Sequence, residues 1–226
     1  MQGSSGNRSA FLRNAGIVIF VLAFTAFALK AIVHPVRLAR YTPIVITHGL
    51  LMLGWLALFV GQARLITNGD TQRHTSIGKM SWLLPLLIVC TSILISYSLF
   101  LEFRVSTVFI GNMYMLAAFT GFYLVAIRSI RAKDVESHKR YMLFATLSLL
   151  LPAFGRFSEV FFGNKEVSLL MFLVFVIALP LIFDRSTGRR FHKATIIGIA
   201  ASIAWVALMI ATIASPVGPM LMERVG

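Results

Sequence analysis

The residues best placed for chemistry lie along one apolar helix of membrane length. His48, Trp55 and Gln62 are spaced seven residues apart. Because seven residues are almost two helical turns, each lies only about 20° around the helix from the last. A polar stripe that faced lipid would be costly, so we expect it to face protein, a cofactor or water. Gly54 and Gly61 repeat the same spacing and should let a neighbouring helix come close to the stripe. The alternatives are simple packing for Trp55 and a hydrogen bond to another helix for Gln62.

Four histidines could supply iron ligands at two depths of a helical bundle. Neutral imidazole can bind haem iron axially, and a low-spin electron-transfer haem needs two imidazoles from different helices at matching depth. His74 and His138 fall at one edge of the predicted bundle, and His34 and His48 fall at the other. Asp134 precedes His138 by four residues and could orient its imidazole, as carboxylates do at metal sites. Basic residues nearby could pair with haem propionates. The alternative for His74 and His138 is that they are ordinary loop residues in basic segments.

A second group of polar side chains is predicted near the depth of His48. Arg156 and Glu159 lie three residues apart within an apolar span, so they could pair on one helix face while the arginine reaches the interface. Intramembrane charges are also candidates for function. Asn112 and Tyr114 should lie nearby. The sequence therefore predicts an outer polar layer that consists of His48, Asn112, Tyr114, Arg156 and Glu159.

The composition places these residues in a membrane. Hydrophobic residues make up 58% of the chain, charged residues 13%, and mean hydropathy is +0.85, values far from those of an ordinary soluble domain. The formal net charge of +13 would suggest nucleic-acid binding on a soluble surface. Here the basic residues lie in short segments between apolar spans, as topogenic charges do, so no nucleic-acid partner is expected. The single cysteine, Cys90, lies inside an apolar span and is expected to be a small buried hydrophobe.

The apolar runs predict an all-α, polytopic integral membrane bundle of about seven transmembrane helices. The predicted spans are 15–33, 43–66, 80–101, 107–127, 141–162, 167–183 and 194–214. Residues 1–14 would form an N-terminal tail, 15–215 the bundle and 216–226 a short C-terminal tail. Pro152 should bend the fifth span, along which His138, Arg156 and Glu159 would share one face. The segments that carry His74 and His138 are predicted as basic loops.

The basic residues also predict an orientation. With alternating spans, 14 of the 21 Lys and Arg residues fall on the side of the N-terminus and 7 on the other. The positive-inside rule then places the N-terminus in the cytoplasm and the C-terminus outside, in a multi-pass protein of a bacterial inner membrane.

Several motifs between Thr42 and Glu159 carry a resemblance to a known family. They are His48-Gly49, Trp55, Gln62, Arg73-His74, Gly78, His138-Lys139-Arg140-Tyr141-Met142 and Pro152-Ala153-Phe154-Gly155-Arg156. This pattern resembles an uncharacterised family of bacterial polytopic membrane proteins, over about half of the chain. That family is distantly similar to the transmembrane di-haem cytochromes b that ascorbate reduces, although the histidine spacing here differs from theirs. The similarity implies haem b as the cofactor.

Three functions are compatible with the sequence. The first is b-type haem electron transfer in the membrane, to or from quinone or another membrane complex. The second is a carrier of small solutes or protons, with the outer polar layer on its path. The third is a non-catalytic accessory or assembly subunit of a respiratory or photosynthetic complex. The sequence leaves open whether the protein is an enzyme.

Overall fold

The computed structural model describes residues 3–35, 41–164, 167–186, 191–216 and 220. All regular secondary structure in these ranges is helical. The helices are α1 (Gly3–Val33), α2 (Pro43–Thr67), α3 (Thr71–Met80), α4 (Leu83–Phe103), α5 (Ser106–Arg131), α6 (Val135–Ser148), α7 (Leu151–Phe162), α8 (Val167–Ser186) and α9 (Lys193–Ala214).

The helices have the length and surface of membrane spans. Six helical segments of the described chain are long and apolar enough to cross a bilayer, with α3 and α4 taken together as one of them. The pair α6 and α7 gives a seventh if it is one bent span. Large apolar side chains such as Ile32, Leu50 and Leu170 lie on the outside, each more than 60% exposed, where lipid would solvate them. The prediction of an all-α, multi-pass membrane bundle is therefore confirmed.

The helix boundaries correct two predicted loops. Residues 71–80 and 135–140, which the sequence indicated as basic loops, are helical. Asp70 accepts a hydrogen bond from the backbone N–H of Arg73 and so caps α3, and Asp134 caps α6 in the same way through Ser137, each at 3.0 Å. The bonds from Ser137 lower the pKa of the Asp134 carboxyl. A carboxylate cap can begin a helix even where the sequence is too polar for a hydropathy pattern to reveal one.

Pro152 bends the fifth predicted span, as expected. It lies in the first turn of α7, and α7 is inclined by 45° to α6. Proline lacks a backbone N–H and its ring excludes the preceding turn, so it begins a helix but cannot continue one. The break also corrects the prediction of one shared face. His138 lies on α6, whereas Arg156 and Glu159 lie on α7 beyond the bend.

The bundle has two chemically different ends. At one end of the bundle α2, α5 and α8 finish, and α3, α6 and α9 begin. Exposed cations gather at this end, which we call the basic face. Examples are Arg64, Arg128, Arg131, Lys133 and Lys193. At the opposite face α1, α4 and α7 finish. Other side chains that entered the charge count lie outside the described residues, as does most of the predicted 216–226 tail. These cations are Arg37, Arg40, Lys165, Arg189, Arg190 and Arg224, together with the side chain of Arg8.

Close helix approach occurs at positions that the seven-residue glycine spacing did not predict. Nothing lies within 4 Å of a Cβ built at Gly61, and at Gly54 such an atom would only reach ordinary contact with Leu84. Tight approaches are instead at Gly16 of α1, where a Cβ would lie 2.9 Å from Phe59 and Val60 of α2, and at Gly198 of α9, against the buried ring of Phe144 on α6. Cys90 is exposed on α4 rather than buried.

Candidate functional site

His138 is oriented by a backbone carbonyl. It lies one turn into α6, and its Nδ1 is 2.9 Å from the carbonyl oxygen of Ala126 on α5. A carbonyl oxygen only accepts hydrogen bonds, so Nδ1 must carry the proton and Nε2 of the neutral ring holds the lone pair. Metal-ligating histidines are commonly oriented in this way. The orienting group is thus Ala126, whereas the sequence indicated Asp134, whose carboxylate caps the helix instead.

His74 lies close to His138. The two imidazoles are near enough for the charge of one to influence the other, and Lys139 affects both. Nδ1 of His74 is buried without a hydrogen-bond partner. Both histidines follow a capping aspartate by four residues, so α3 and α6 place their imidazoles at equivalent positions in the first turns. The two histidines that the sequence places at this edge therefore lie within electrostatic range of each other.

Gln62 and Trp55 extend this group into the bundle. The backbone carbonyl of Gln62 lies beside the imidazole of His74, and both polar atoms of the Gln62 side chain are buried without a partner. The indole Nε1 of Trp55 is also buried and unpartnered. Leaving a buried polar group unsatisfied costs about 1–3 kcal/mol, so the unsatisfied atoms of His74 and Gln62 indicate a bound group or ordered water. We call His74, His138 and Gln62 the histidine cluster.

Trp55 also packs in the core, which was the alternative to a functional role. Its side chain is 1% exposed, and its ring meets Phe119 and Tyr123 of α5 edge-on, with centroids 5.2 and 5.9 Å apart. These rings fill the interior next to the histidine cluster. The predicted polar stripe of α2 therefore faces protein at Trp55 and Gln62, as expected.

The composition of the cluster limits its chemistry. Across the described ranges, no three His, Cys, Asp or Glu side chains lie together as they do around a metal ion held by protein alone. A haem iron with two axial histidines takes two imidazoles from the protein and needs no third side-chain ligand.

The predicted outer layer is divided among separate helix pairs. Asn112 of α5 donates to Ser96 of α4 at 3.0 Å. The hydroxyl of Tyr114 lies 2.6 Å from that of Thr212 on α9, and since Thr212 donates to a backbone carbonyl, Tyr114 must be the donor between them. Asn112 and Tyr114 thus join neighbouring helices through hydrogen bonds.

His48 bonds to a threonine of α4. Its Nδ1 lies 2.9 Å from Oγ1 of Thr91 on α4. The Thr91 hydroxyl has one hydrogen, which it donates to the carbonyl of Leu87 at 2.7 Å, so Nδ1 of His48 is the donor. Nε2 of the neutral imidazole then holds the lone pair. His34 is half-buried just beyond the end of α1, and its backbone N–H bonds to the carbonyl of Lys30.

The two charged residues of α7 meet α1. Glu159 pairs with Lys30 at 2.6 Å, and the two side chains are only 18% and 8% exposed. The Arg156 guanidinium lies over the ring of Phe27 at 4.0 Å and donates to the carbonyl of Pro152. Arg156 and His48 are also close enough for their charges to interact. Lys30 was missed as a site residue, because a lysine at the end of an apolar span reads as an interface charge.

A buried ion network at the basic face was also missed. Arg140 bonds to Asp184 and Glu136, and both Arg140 and Asp184 are 0% exposed. His192 caps α9, because its Nδ1 accepts the N–H of Ala194. From the sequence, Arg140 and His192 are predicted to lie in loop segments. Asp184 is separated from Arg140 by 44 residues, and no spacing rule predicts that pairing.

No protein-family model, curated protein or solved structure matches this chain, so the site is interpreted from its own geometry.

Proposed function

We propose that the chain is a b-type haem protein that carries electrons in a bacterial inner membrane, with His74 and His138 as the axial ligands. One observation carries the proposal. His74 and His138 lie in the first turns of α3 and α6 at the basic face, within electrostatic range of each other. His138 has its Nε2 lone pair free, because its Nδ1 donates to Ala126, and Nδ1 of His74 is buried and unpartnered.

The surrounding residues fit this cofactor. The charge of Lys139 acts on both imidazoles, and although Lys139 pairs with Glu136 at 3.4 Å, an ammonium has further donors with which it could bind a propionate. The unsatisfied amide of Gln62 could hydrogen-bond to a bound group at the same level. Trp55, Phe119 and Tyr123 contact one another through their rings and form an aromatic group in the bundle. When bound, haem supplies a one-electron couple whose potential depends on its axial ligands, hydrogen bonds and burial.

The orientation belongs to the same proposal. The basic face would lie in the cytoplasm, with the N-terminus inside and the C-terminus outside, because exposed cations gather there. The histidine cluster would then exchange electrons near the cytoplasmic surface.

Haem content tests the proposal. The protein should be produced in cells supplied with a haem precursor, purified in mild detergent, and extracted into alkaline pyridine. We expect haem b in stoichiometric amount. A folded, colourless protein without extractable haem, even when purified with its membrane partners, would overturn the proposal and favour the accessory-subunit hypothesis.

A further inference from the structure

A second group of charged side chains lies at the opposite face, between α1, α2 and α7. It contains Lys30, Arg156, Glu159 and His48, with the Phe27 ring beneath the guanidinium. We call these five residues the α1–α7 cluster. Lys30 and Glu159 form a close pair, and Arg156 has an aromatic face, a backbone carbonyl and the charge of Glu159 as neighbours. Two cations thus share one carboxylate, and because a cation at this depth is costly unless its charge is offset, the cluster favours binding of a further group with hydrogen-bond acceptors.

We propose that the α1–α7 cluster binds the ring of a lipid-soluble quinone and of its hydroquinone. This inference rests on the proposed function, because the haem at the other end of the bundle is the redox partner. It assigns to the electron carrier a second substrate site on the opposite side of the membrane.

Arg156 and His48 offer complementary hydrogen bonds to such a ring. A guanidinium has five N–H donors, and the bond to Pro152 uses one of its nitrogens, Nη1. The remaining donors suit a quinone carbonyl oxygen. Nε2 of His48 holds a lone pair, because Nδ1 donates to Thr91, and a lone pair suits a hydroquinone hydroxyl. One site thus offers a donor for the oxidised ring and an acceptor for the reduced ring.

The position of Phe27 favours a ligand that arrives from the bilayer. Phe27 is 40% exposed and its neighbour one turn back, Phe24, is 53% exposed, so both lie on the outer surface of α1. The guanidinium lies over the Phe27 ring and is therefore next to the lipid side of the bundle. A flat, lipid-soluble ring could approach it laterally, whereas a water-soluble anion would have to enter past the buried Lys30–Glu159 pair.

The two sites lie at opposite ends of one stripe. His48 and Gln62 are fourteen residues apart on α2, or about 21 Å along the helix at 1.5 Å per residue. Trp55 lies midway and contacts two further aromatic rings. The stripe therefore links the α1–α7 cluster to the histidine cluster through aromatic side chains.

In the proposed reaction, a hydroquinone loses its two O–H protons and two electrons, and its two C–O bonds become carbonyls. One proton passes to Nε2 of His48 and the other to the Glu159 carboxylate, and both then leave at the opposite face. With haem bound at His74 and His138, the two electrons would be accepted one at a time, so one hydroquinone would reduce two haem equivalents.

The test measures haem reduction by decylubiquinol in Arg156→Leu and wild-type protein. We expect the variant to be reduced at least tenfold more slowly, with unchanged haem content and an unchanged dithionite-reduced spectrum. Arg185→Leu, which removes an exposed arginine at the end of α8, is the control and should match the wild type. Equal rates in all three proteins would overturn the quinone site and leave the haem proposal standing. Absence of haem would overturn the proposed function instead.

Photolabelling gives a readout that does not depend on electron transfer. An azidoquinone should label peptides from α1 or α7, decylubiquinone should compete with it, and Arg156→Leu should reduce the labelling. Labelling that is displaced by anionic phospholipid but not by decylubiquinone would identify a lipid headgroup site and contradict the proposal. Labelling elsewhere in the bundle would contradict it as well.

Discussion

The guanidinium of Arg140 donates two hydrogen bonds to one carboxylate oxygen of Asp184, from Nε at 2.9 Å and from Nη2 at 2.6 Å. The other carboxylate oxygen accepts the backbone N–H of His192 at 2.7 Å. Arg140 also bonds to Thr195 at the start of α9 and to Glu136 on its own helix. This network joins α6, α8 and α9. Because His138 lies only two residues from Arg140, the network also holds the first turn of α6, which presents that imidazole.

Breaking the Arg140–Asp184 pair should destabilise the protein strongly. Arg140→Met leaves the Asp184 carboxylate buried without its main partner, and removing one member of a buried ion pair typically costs about 3–5 kcal/mol. Thermal unfolding in detergent should show the loss as a lower Tm. Arg185→Leu, at the exposed neighbouring position, should change the Tm little.

The double variant Arg140→Met/Asp184→Leu distinguishes a paired charge from simple packing. Its loss of stability should be smaller than the sum of the two single losses, because neither charge is then left buried alone. Additive losses would contradict the coupling that the structure shows.

His192 should make stability depend on pH. Burial, and then the charge of Arg140, lower its pKa below the usual 6.5. The unfolded chain therefore binds the proton more readily, and stability is lost as the pH falls from about 6.5 through the lowered pKa of the folded state. His192→Asn keeps a capping side chain but removes the titration. Between roughly pH 7.5 and 5, the wild type should lose more Tm than the variant. Parallel profiles would exclude this role for His192.

Gly198→Ala should be destabilising, because α9 approaches α6 too closely there for a side chain. A Cβ at this position would lie 2.6 Å from Cζ of Phe144 and nearer still to other ring atoms. Overpacking of this kind costs about 1–3 kcal/mol. Gly121→Ala, where nothing lies within 4 Å, should be neutral or slightly stabilising. Phe144→Leu should recover part of the stability lost by Gly198→Ala. Equal melting of the two alanine variants would contradict the close approach.

Apolar runs predicted most of the fold because a membrane span needs a long segment that lipid can solvate. The bounds of α2, α5, α8 and α9 follow those runs to within a few residues. Helix α3 was missed because its residues are polar, although Asp70 lies where a capping residue should lie. A hydropathy scale measures how readily side chains transfer into lipid, so it carries no information on helix caps.

The candidate site was predicted in part. The common depth of His74 and His138 followed from the order of the spans, and both lie in the first turns of helices that begin at the basic face. The hydrogen-bond and ion-pair partners of the site residues did not follow from the sequence. Ala126 orients His138 through a backbone atom, which no side-chain motif reports. Lys30 meets Glu159 only because α1 packs against α7, and a single sequence does not reveal which helices are neighbours.

The orientation is tested by reporter fusions. Fusions after Lys79, Ala132 and Thr187 should report a cytoplasmic location, and fusions after Arg104 and Asn164 an external one, because the cations of the basic face are expected to stay inside. An external signal after Ala132 would contradict the proposed orientation and the pairing of the spans.

The reduced-minus-oxidised absorption spectrum of the purified His138→Ala variant tests the central claim most directly. The wild type and the His192→Ala control should show the narrow bands of a six-coordinate b-type haem. His138→Ala and His74→Ala should lose these bands or convert them to a five-coordinate form, because alanine offers iron no lone pair. A six-coordinate spectrum that survives unchanged in His138→Ala, or a wild-type spectrum without haem bands, would contradict the assignment of His74 and His138 as axial ligands.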